Sequence, residues 1–218
     1  MNPKPPPTAA DVDILERATP FQGYFRIDRY RLRHRLFSGG WSQPFSREIF
    51  ERGHAIVAVL YDPNRDALVL VEQFRMGAFA AQQSPWLAEN EGPWLVEPVA
   101  GIIDPGEAPE DVVRREAMEE AGCTVTDLIF ACKYLASAGG SSEVVHVYCG
   151  RVDSQGIGGI HGLDHEHEDI RVLVVPAGEA LGWLDSGRLI SASAIVGLQW
   201  FRQHREALRK RWMATGGA

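Results

Sequence analysis

GIIDPGEAPEDVVRREAMEEAGC, Gly101 to Cys123, gathers glycine turns and closely spaced acids in one short segment. A Gly/Pro turn leads to Glu107, then Arg115, Glu116, Glu119 and Glu120 follow, and Gly122 closes the segment. Positions 116, 119 and 120 lie three and four residues apart, so on a helix their carboxylates share one face. Val113, Ala117 and Ala121 repeat every four residues and give a small apolar stripe beside the acidic one. The punctuation is helical. Pro109 suits the first turn, Glu110 and Asp111 complement the positive end of the dipole, and Gly122 suits the position just past the last turn. Three carboxylates on one face repel one another, and hard oxygen ligands are what a divalent cation such as Mg²⁺ or Mn²⁺ requires.

Outward from this helix, HAIVAVLYD and ALVLVEQFR are short apolar runs joined by DPNRD, which predicts a β-hairpin. Pro85-Trp86-Leu87 recurs as Pro93-Trp94-Leu95. The first copy reads as an inserted loop and the second as the strand leading to Gly101. Beyond the helix, DLIFACKYLAS and EVVHVYCGRV read as strands around ASAGGSSE, and HGLDHEHED as a polar loop before the strand IRVLVV. Two helices over 178–185 and 192–213 finish the chain, the second with Ile195, Leu198, Trp200, Phe201 and Leu208 towards the core and a basic RKRW at its negative end. Mixed strands between helices predict an α/β fold, an α/β/α sandwich.

The N-terminal portion has a different texture. Residues 1–10 are Pro-rich, and disorder is expected there. Residues 11–51 read as a small antiparallel β module, with a bulge or a sharp bend expected in GYFRIDRYRLRHRLF because its apolar phase slips by one residue. The main domain is expected over 52–218. A chain of 218 residues fits one large domain, or a domain plus an appendage. Its net charge of −7 disfavours nucleic acid and anionic membrane as partners. The start MNPKPPPTAADVD has no hydrophobic signal core, and Cys123, Cys132 and Cys149 have no zinc spacing, so reduced thiols and a cytoplasmic location are expected.

Gly101, five residues, Glu107, seven residues, Arg115-Glu116, then Glu119-Glu120, Ala121 and Gly122 resemble the complete Nudix box, with Ala117 a soft deviation. A solvated acidic helix face would explain neither Gly101 nor Glu107. REIFERGHA, VEQFR, LAS-x-GGSSE, GLDHEHEDIRV and ASAIVGLQW extend the resemblance, in order, to the ADP-ribose pyrophosphatase branch of Nudix hydrolases. That resemblance implies Mg²⁺-dependent cleavage of ADP-ribose to AMP and ribose 5-phosphate, by a homodimer with exchanged N-terminal modules. It implies metal ligation by Glu116, Glu120, Glu168 and the Ala100 carbonyl, with Glu119 a further ligand or a partner of one. Substrate contacts are implied for Tyr24, Phe25, Arg47, Glu48, Arg52, Arg75, Ile102, Ser137, Gly139 and Glu143.

The chemistry needs such a set. Clustered phosphate charge repels an attacking hydroxide unless cations neutralise it, and a separate carboxylate must take the proton of the attacking water. Of Asp164, Glu166, Glu168 and Asp169, Glu166 is the expected general base by its place in the loop. His165 and His167 are expected in solvent. Two departures bear on substrate: Ala138 stands where ADP-ribose enzymes commonly carry proline, and the repeated PWL adds residues near the site. Another nucleoside diphosphate sugar, such as GDP-mannose, is the enzymatic alternative, and a ligand-binding Nudix sensor without catalysis is the alternative of another class.

Overall fold

A computed structural model describes residues 6–88 and 91–214. The chain falls into two compact units, Met1–His54 with Leu135–Val144, and Ala55–Tyr134 with Val145–Ala218. In the first unit β1 (Val12–Gln22), β2 (Arg26–His34) and β3 (Phe45–Glu51) form an antiparallel sheet in that order. The irregularity expected in GYFRIDRYRLRHRLF lies instead on the neighbouring strand. β2 pairs with β3 without a break from Arg26 to Leu32, whereas the register shifts fall in β1, between Ile14 and Glu16 and between Ala18 and Phe21. The apolar phase slips because β2 has few buried positions to hold it. Its buried residue is Asp28, which accepts from Arg17 (2.7 Å) and Thr19 (2.7 Å). Of residues 1–10, the first five lie outside the described residues, while Thr8 caps a 3₁₀ turn over Ala9–Asp11.

The second unit is built on an eight-stranded mixed sheet. β4 (His54–Asp62) and β5 (Ala67–Phe74) form the expected hairpin, with Leu60, Tyr61 and Asp62 opposite Val69, Leu68 and Ala67. Beyond that point another strand borders β5: β6 (Trp94–Glu97), the second PWL copy, pairs with it from Val71 to Phe74. β7 (Val99–Ile103) pairs with β4. The first PWL copy lies in a turn-rich stretch after a short helix, α1 (Met76–Ala81), that the sequence reading did not anticipate. β8 (Asp127–Leu135), β9 (Val144–Arg151), β10 (Gly159–His161) and β11 (Ile170–Pro176) complete the order β10-β11-β5-β4-β9-β8, with β4 and β9 parallel. The segment expected to be wholly loop thus begins on a strand, because Gly159–His161 pairs with Ile170–Val172.

Strand alternation sorts the core into two faces. Ile56, Ala58, Leu60, Val69 and Val71 pack with Val112, Val113, Ala117 and Ala121 of α2 (Pro109–Ala121). Val59, Tyr61, Leu68 and Leu70 pack on the opposite face with α3 (Ala177–Asp185) and α4 (Ala192–Ala214). The unit is the expected α/β/α sandwich. On α4, Leu198, Phe201 and Leu208 are buried as expected, but Ile195 is 39% exposed and Trp200 only partly covered. The basic end holds the surprise: Trp212 is fully buried, and its indole N–H donates to Asp127 at 2.7 Å. Trp212→Ala should cost about 3–5 kcal/mol in urea unfolding, as large core truncations do. A loss below about 1 kcal/mol, ordinary for a surface change, would contradict this packing.

Candidate active site

Helix α2 presents its acids as the spacing requires, and local chemistry fixes its ends. Pro109 stands in the first turn, and Gly122 adopts φ 63°, ψ 21°, the left-handed conformation that glycine takes without strain. Little else fits there, since a Cβ on Gly122 would stand 2.8 Å from Cε1 of His161. Gly162 N–H reaches the Glu119 carbonyl at 3.4 Å. The end of the acidic helix is therefore tied to the start of the 161–169 loop.

Arg115 is the hub of the exposed side. Its guanidinium donates to Glu107 (3.3 Å), Glu116 (2.8 Å), Glu119 (3.0 Å) and the Ile102 carbonyl (3.5 Å). Glu107 also accepts the Asp104 N–H at 3.1 Å, and that bond, then Arg115, holds its carboxyl below the usual range. Glu120, one turn on from Glu116, reaches deeper, into the sheet. Only 3% exposed, it accepts the Gln73 amide at 3.3 Å and the Ala100 N–H at 3.1 Å. Burial pushes its carboxyl up to about 8 despite these donors, and burial pushes Glu116 up to about 7. A Cβ on Gly101 would stand 2.0 Å from Oε1 of Glu116, so only glycine leaves room for that carboxylate against the backbone.

A divalent cation fits this donor set. Two carboxyls are driven towards neutrality by burial on one helix, and a bound cation would reverse that by favouring their charged forms. The glycine cradle keeps Glu116 beside Gly101 and the Ala100 N–H holds Glu120, which gathers both near the backbone at Ala100. Among the described residues no three His, Cys, Asp or Glu side chains stand as a preformed cage, because Arg115 draws Glu116 and Glu119 to itself.

The other expected residues are divided between the two units. Glu168 accepts the Leu163 N–H at 3.1 Å, and its charge acts on both Glu116 and Arg75. Arg75 pairs with Glu97 at 2.7 Å and feels Glu120 as well. Glu166 stands in a one-turn 3₁₀ helix, Asp164–Glu166, its side chain 55% exposed and 3.7 Å from His165. Both loop histidines are exposed, and His167 adopts φ 57°. In the first unit Tyr24 meets Phe25 edge-on, Arg52 lies over Phe25, and Arg52 stands 3.7 Å from Glu143. Arg47 lies over Phe45 and donates to the Ser46 carbonyl; Glu48 is exposed on β3. Ser137 and Gly139 form a turn, with the Ser137 carbonyl accepting from Gly140 and Ser141.

Sequence reasoning missed Gln73 and Glu97, buried at 6% each. The available signal was a polar residue interrupting an apolar strand, in VLVEQF and in WLVE. Such a residue must find a partner when buried.

The chain belongs to the Nudix family, whose NUDIX domain model matches residues 51–193. It is 46% identical over 202 residues, 93% of each chain, to the ADP-ribose pyrophosphatase of Escherichia coli (strain K12). It is 40% identical to that of Haemophilus influenzae, covering 93% of this chain and 91% of the relative. A more distant relative is the GDP-mannose pyrophosphatase of Pectobacterium atrosepticum, 28% identical over 95% of this chain and all of that one. A solved ADP compounds hydrolase shares the fold at TM-score 0.64 and 19% identity, with 95% of this chain and 96% of that one covered.

The raised carboxyls fix a sign for the pH response. Without cation, folded Glu116 and Glu120 keep protons that the unfolded chain releases near 4.5, so their stabilising effect is full below that range and is lost as pH rises through about 7 and 8. Calorimetry in chelator should show Tm falling over this window, with added Mg²⁺ restoring it most at the alkaline end. The fall should be shallower in Glu120→Gln, and a variant that tracked the parent protein at every pH would contradict the assignment.

Proposed function

We propose that the protein is a Mg²⁺-dependent hydrolase that adds water across the pyrophosphate bond of ADP-ribose, giving AMP and ribose 5-phosphate. The observation that carries this reading is the carboxylate array of α2, with Glu120 buried against Ala100 and Glu116 half-buried against Gly101. Similarity to two ADP-ribose pyrophosphatases over 93% of the chain supports the choice of substrate. Glu116, Glu120, Glu168 and the Ala100 carbonyl would hold the cation (Mn²⁺ in place of Mg²⁺ is compatible with the same donors), with Glu119 beside them. When bound, it supplies neutralising charge for the diphosphate and acidifies water.

The chain's own residues do the rest. Arg115 holds Glu107, Glu116 and Glu119 in one constellation, so the ligating face does not splay under its own repulsion. Arg75 offers a guanidinium fork to a phosphate. Glu166 is assigned as the base that takes the proton of the attacking water, and its exposed turn leaves it free to reach that water. Tyr24, Phe25, Arg47, Glu48, Arg52, Ile102, Ser137, Gly139 and Glu143 are assigned to nucleotide and sugar recognition. Residues 11–51 are assigned to an exchanged homodimer. Among the described residues of the first unit no hydrophobic side chain is buried, and Val12, Ile14, Leu15 and Phe21 are exposed, which supports burial against a second copy. No nucleic-acid or membrane partner belongs to this reading, and no helix of the described residues is long and apolar enough to cross a membrane. Three free cysteines support a cytoplasmic setting.

GDP-mannose is the second reading, favoured by the relative named above and by Ala138 in place of proline. A panel of nucleoside diphosphate sugars with Mg²⁺ and product identification decides. AMP and ribose 5-phosphate should dominate; GMP from GDP-mannose as the main product would move the assignment, and no nucleoside monophosphate from any sugar would leave a sensor. Glu166→Gln should lower kcat about 10²-fold or more with cation binding kept, and near-normal turnover would transfer the base to Glu168 or Asp164. Light scattering at micromolar concentration should give a dimer mass, and a monomer would remove the exchanged module.

A further inference from the structure

Polar groups on the α2 face of the sheet form a second chain that the box does not include. On β6, Glu97 lies opposite Val71 of β5, so its side chain rises from the same face as Val71, Gln73 and Arg75. It is 6% exposed, in a position where a carboxylate needs partners. Arg75 supplies one through Nε at 2.7 Å, and Ser193, in the first turn of α4, supplies another through its hydroxyl at 3.3 Å. Ser193 is within reach of the Ser191 hydroxyl (3.1 Å), which accepts the Ala194 N–H. Arg75 is also held at the backbone, where its N–H donates to the Pro93 carbonyl at 2.8 Å. Its two terminal nitrogens carry no hydrogen bond among the described residues, and its charge is coupled to Glu120 and Glu168.

We infer that Glu97, braced by Ser193, is a positioning residue that holds Arg75 by its Nε so that the free fork addresses a phosphate group of the diphosphate substrate. This inference rests on the pyrophosphatase reading above. The geometry explains why arginine stands here. Lysine has a single nitrogen, so a tie to Glu97 would occupy the group meant for substrate, whereas arginine divides the tasks between Nε and its terminal pair. A buried carboxylate suits the first task because it is fixed by burial and by a second donor, which lowers the entropy of aiming a long side chain. It also offsets a positive charge that would otherwise compete with the cation. Glu97 itself touches neither cation nor reacting atoms. It acts through Arg75.

The test is a double-mutant cycle on the full-length protein with Mg²⁺, using Arg75→Ala, Glu97→Gln and the pair, with Ser193→Ala as the milder variant. The readouts are KM and kcat for ADP-ribose, the Kd of its non-hydrolysable α,β-methylene analogue, the Mg²⁺ titration and Tm. Glu97→Gln should raise KM and Kd about 10-fold, within the range for losing a partner that orients a ligand, with kcat, Mg²⁺ requirement and Tm little changed. Ser193→Ala should shift Kd the same way by less. The pair should be no worse than Arg75→Ala alone. Additive losses, or a loss by Glu97→Gln that tracks a fall in Tm, would make Glu97 a merely structural tie and overturn the proposal. An unchanged Kd in Arg75→Ala would overturn it at its first step, by removing Arg75 from substrate binding. If the parent protein neither cleaves ADP-ribose nor binds the analogue, the pyrophosphatase reading for that substrate fails instead, and the same cycle on the preferred diphosphate sugar then decides the role of Glu97.

Discussion

A carboxylate 3% exposed to solvent, Glu120, hangs between the Gln73 amide and the Ala100 N–H, and the arrangement around it follows from the cost of keeping it there. Two neutral donors only partly replace water for a charged group, and burial still drives the carboxyl up to about 8. A proton neutralises such a group, and a bound cation would favour its charged form instead. Gly101 omits a Cβ so that Glu116 can approach, Arg115 restrains the more exposed acids, and Gly122 ends the helix where His161 begins the loop that carries Glu168. Hydrophobic burial of Val112, Val113, Ala117 and Ala121 then presses the acidic helix onto β4, β5 and β7.

Much of this was legible in the sequence, for identifiable reasons. A helix with matched caps, an apolar stripe and an acidic stripe has one register that satisfies all three, so α2 could be placed from Pro109 to Gly122. The β4–β5 hairpin and the second PWL strand were legible because apolar runs stood between turn residues. The layers were legible because strands alternate with helices along the chain, and the resemblance to the Nudix box named the carboxylates to look at.

What stayed hidden depended on pairing across the chain. Glu97 and Gln73 look like ordinary polar residues until the chain folds, when Gln73 meets Glu120 of α2 and Glu97 meets Arg75 and Ser193. Trp212 sits among basic residues whose local pattern reads as solvent-facing, and its burial is explained by distant partners, the Tyr61 ring and the Asp127 carboxylate, 85 residues away. The short strand Gly159–His161 is too brief to show a period, and the irregularities of β1 become visible only against the unbroken β2–β3 register. Local patterns identify elements; the polar contacts between distant elements decide which of their residues reach the site.

Mn²⁺ titration followed by electron paramagnetic resonance tests cation binding by the carboxylates of α2 without turnover. The protein should bind Mn²⁺, Mg²⁺ should displace it, and Glu116→Gln and Glu120→Gln should each weaken binding at least about 10-fold while both variants stay folded in chelator. Unchanged Mn²⁺ binding in both variants would contradict the account.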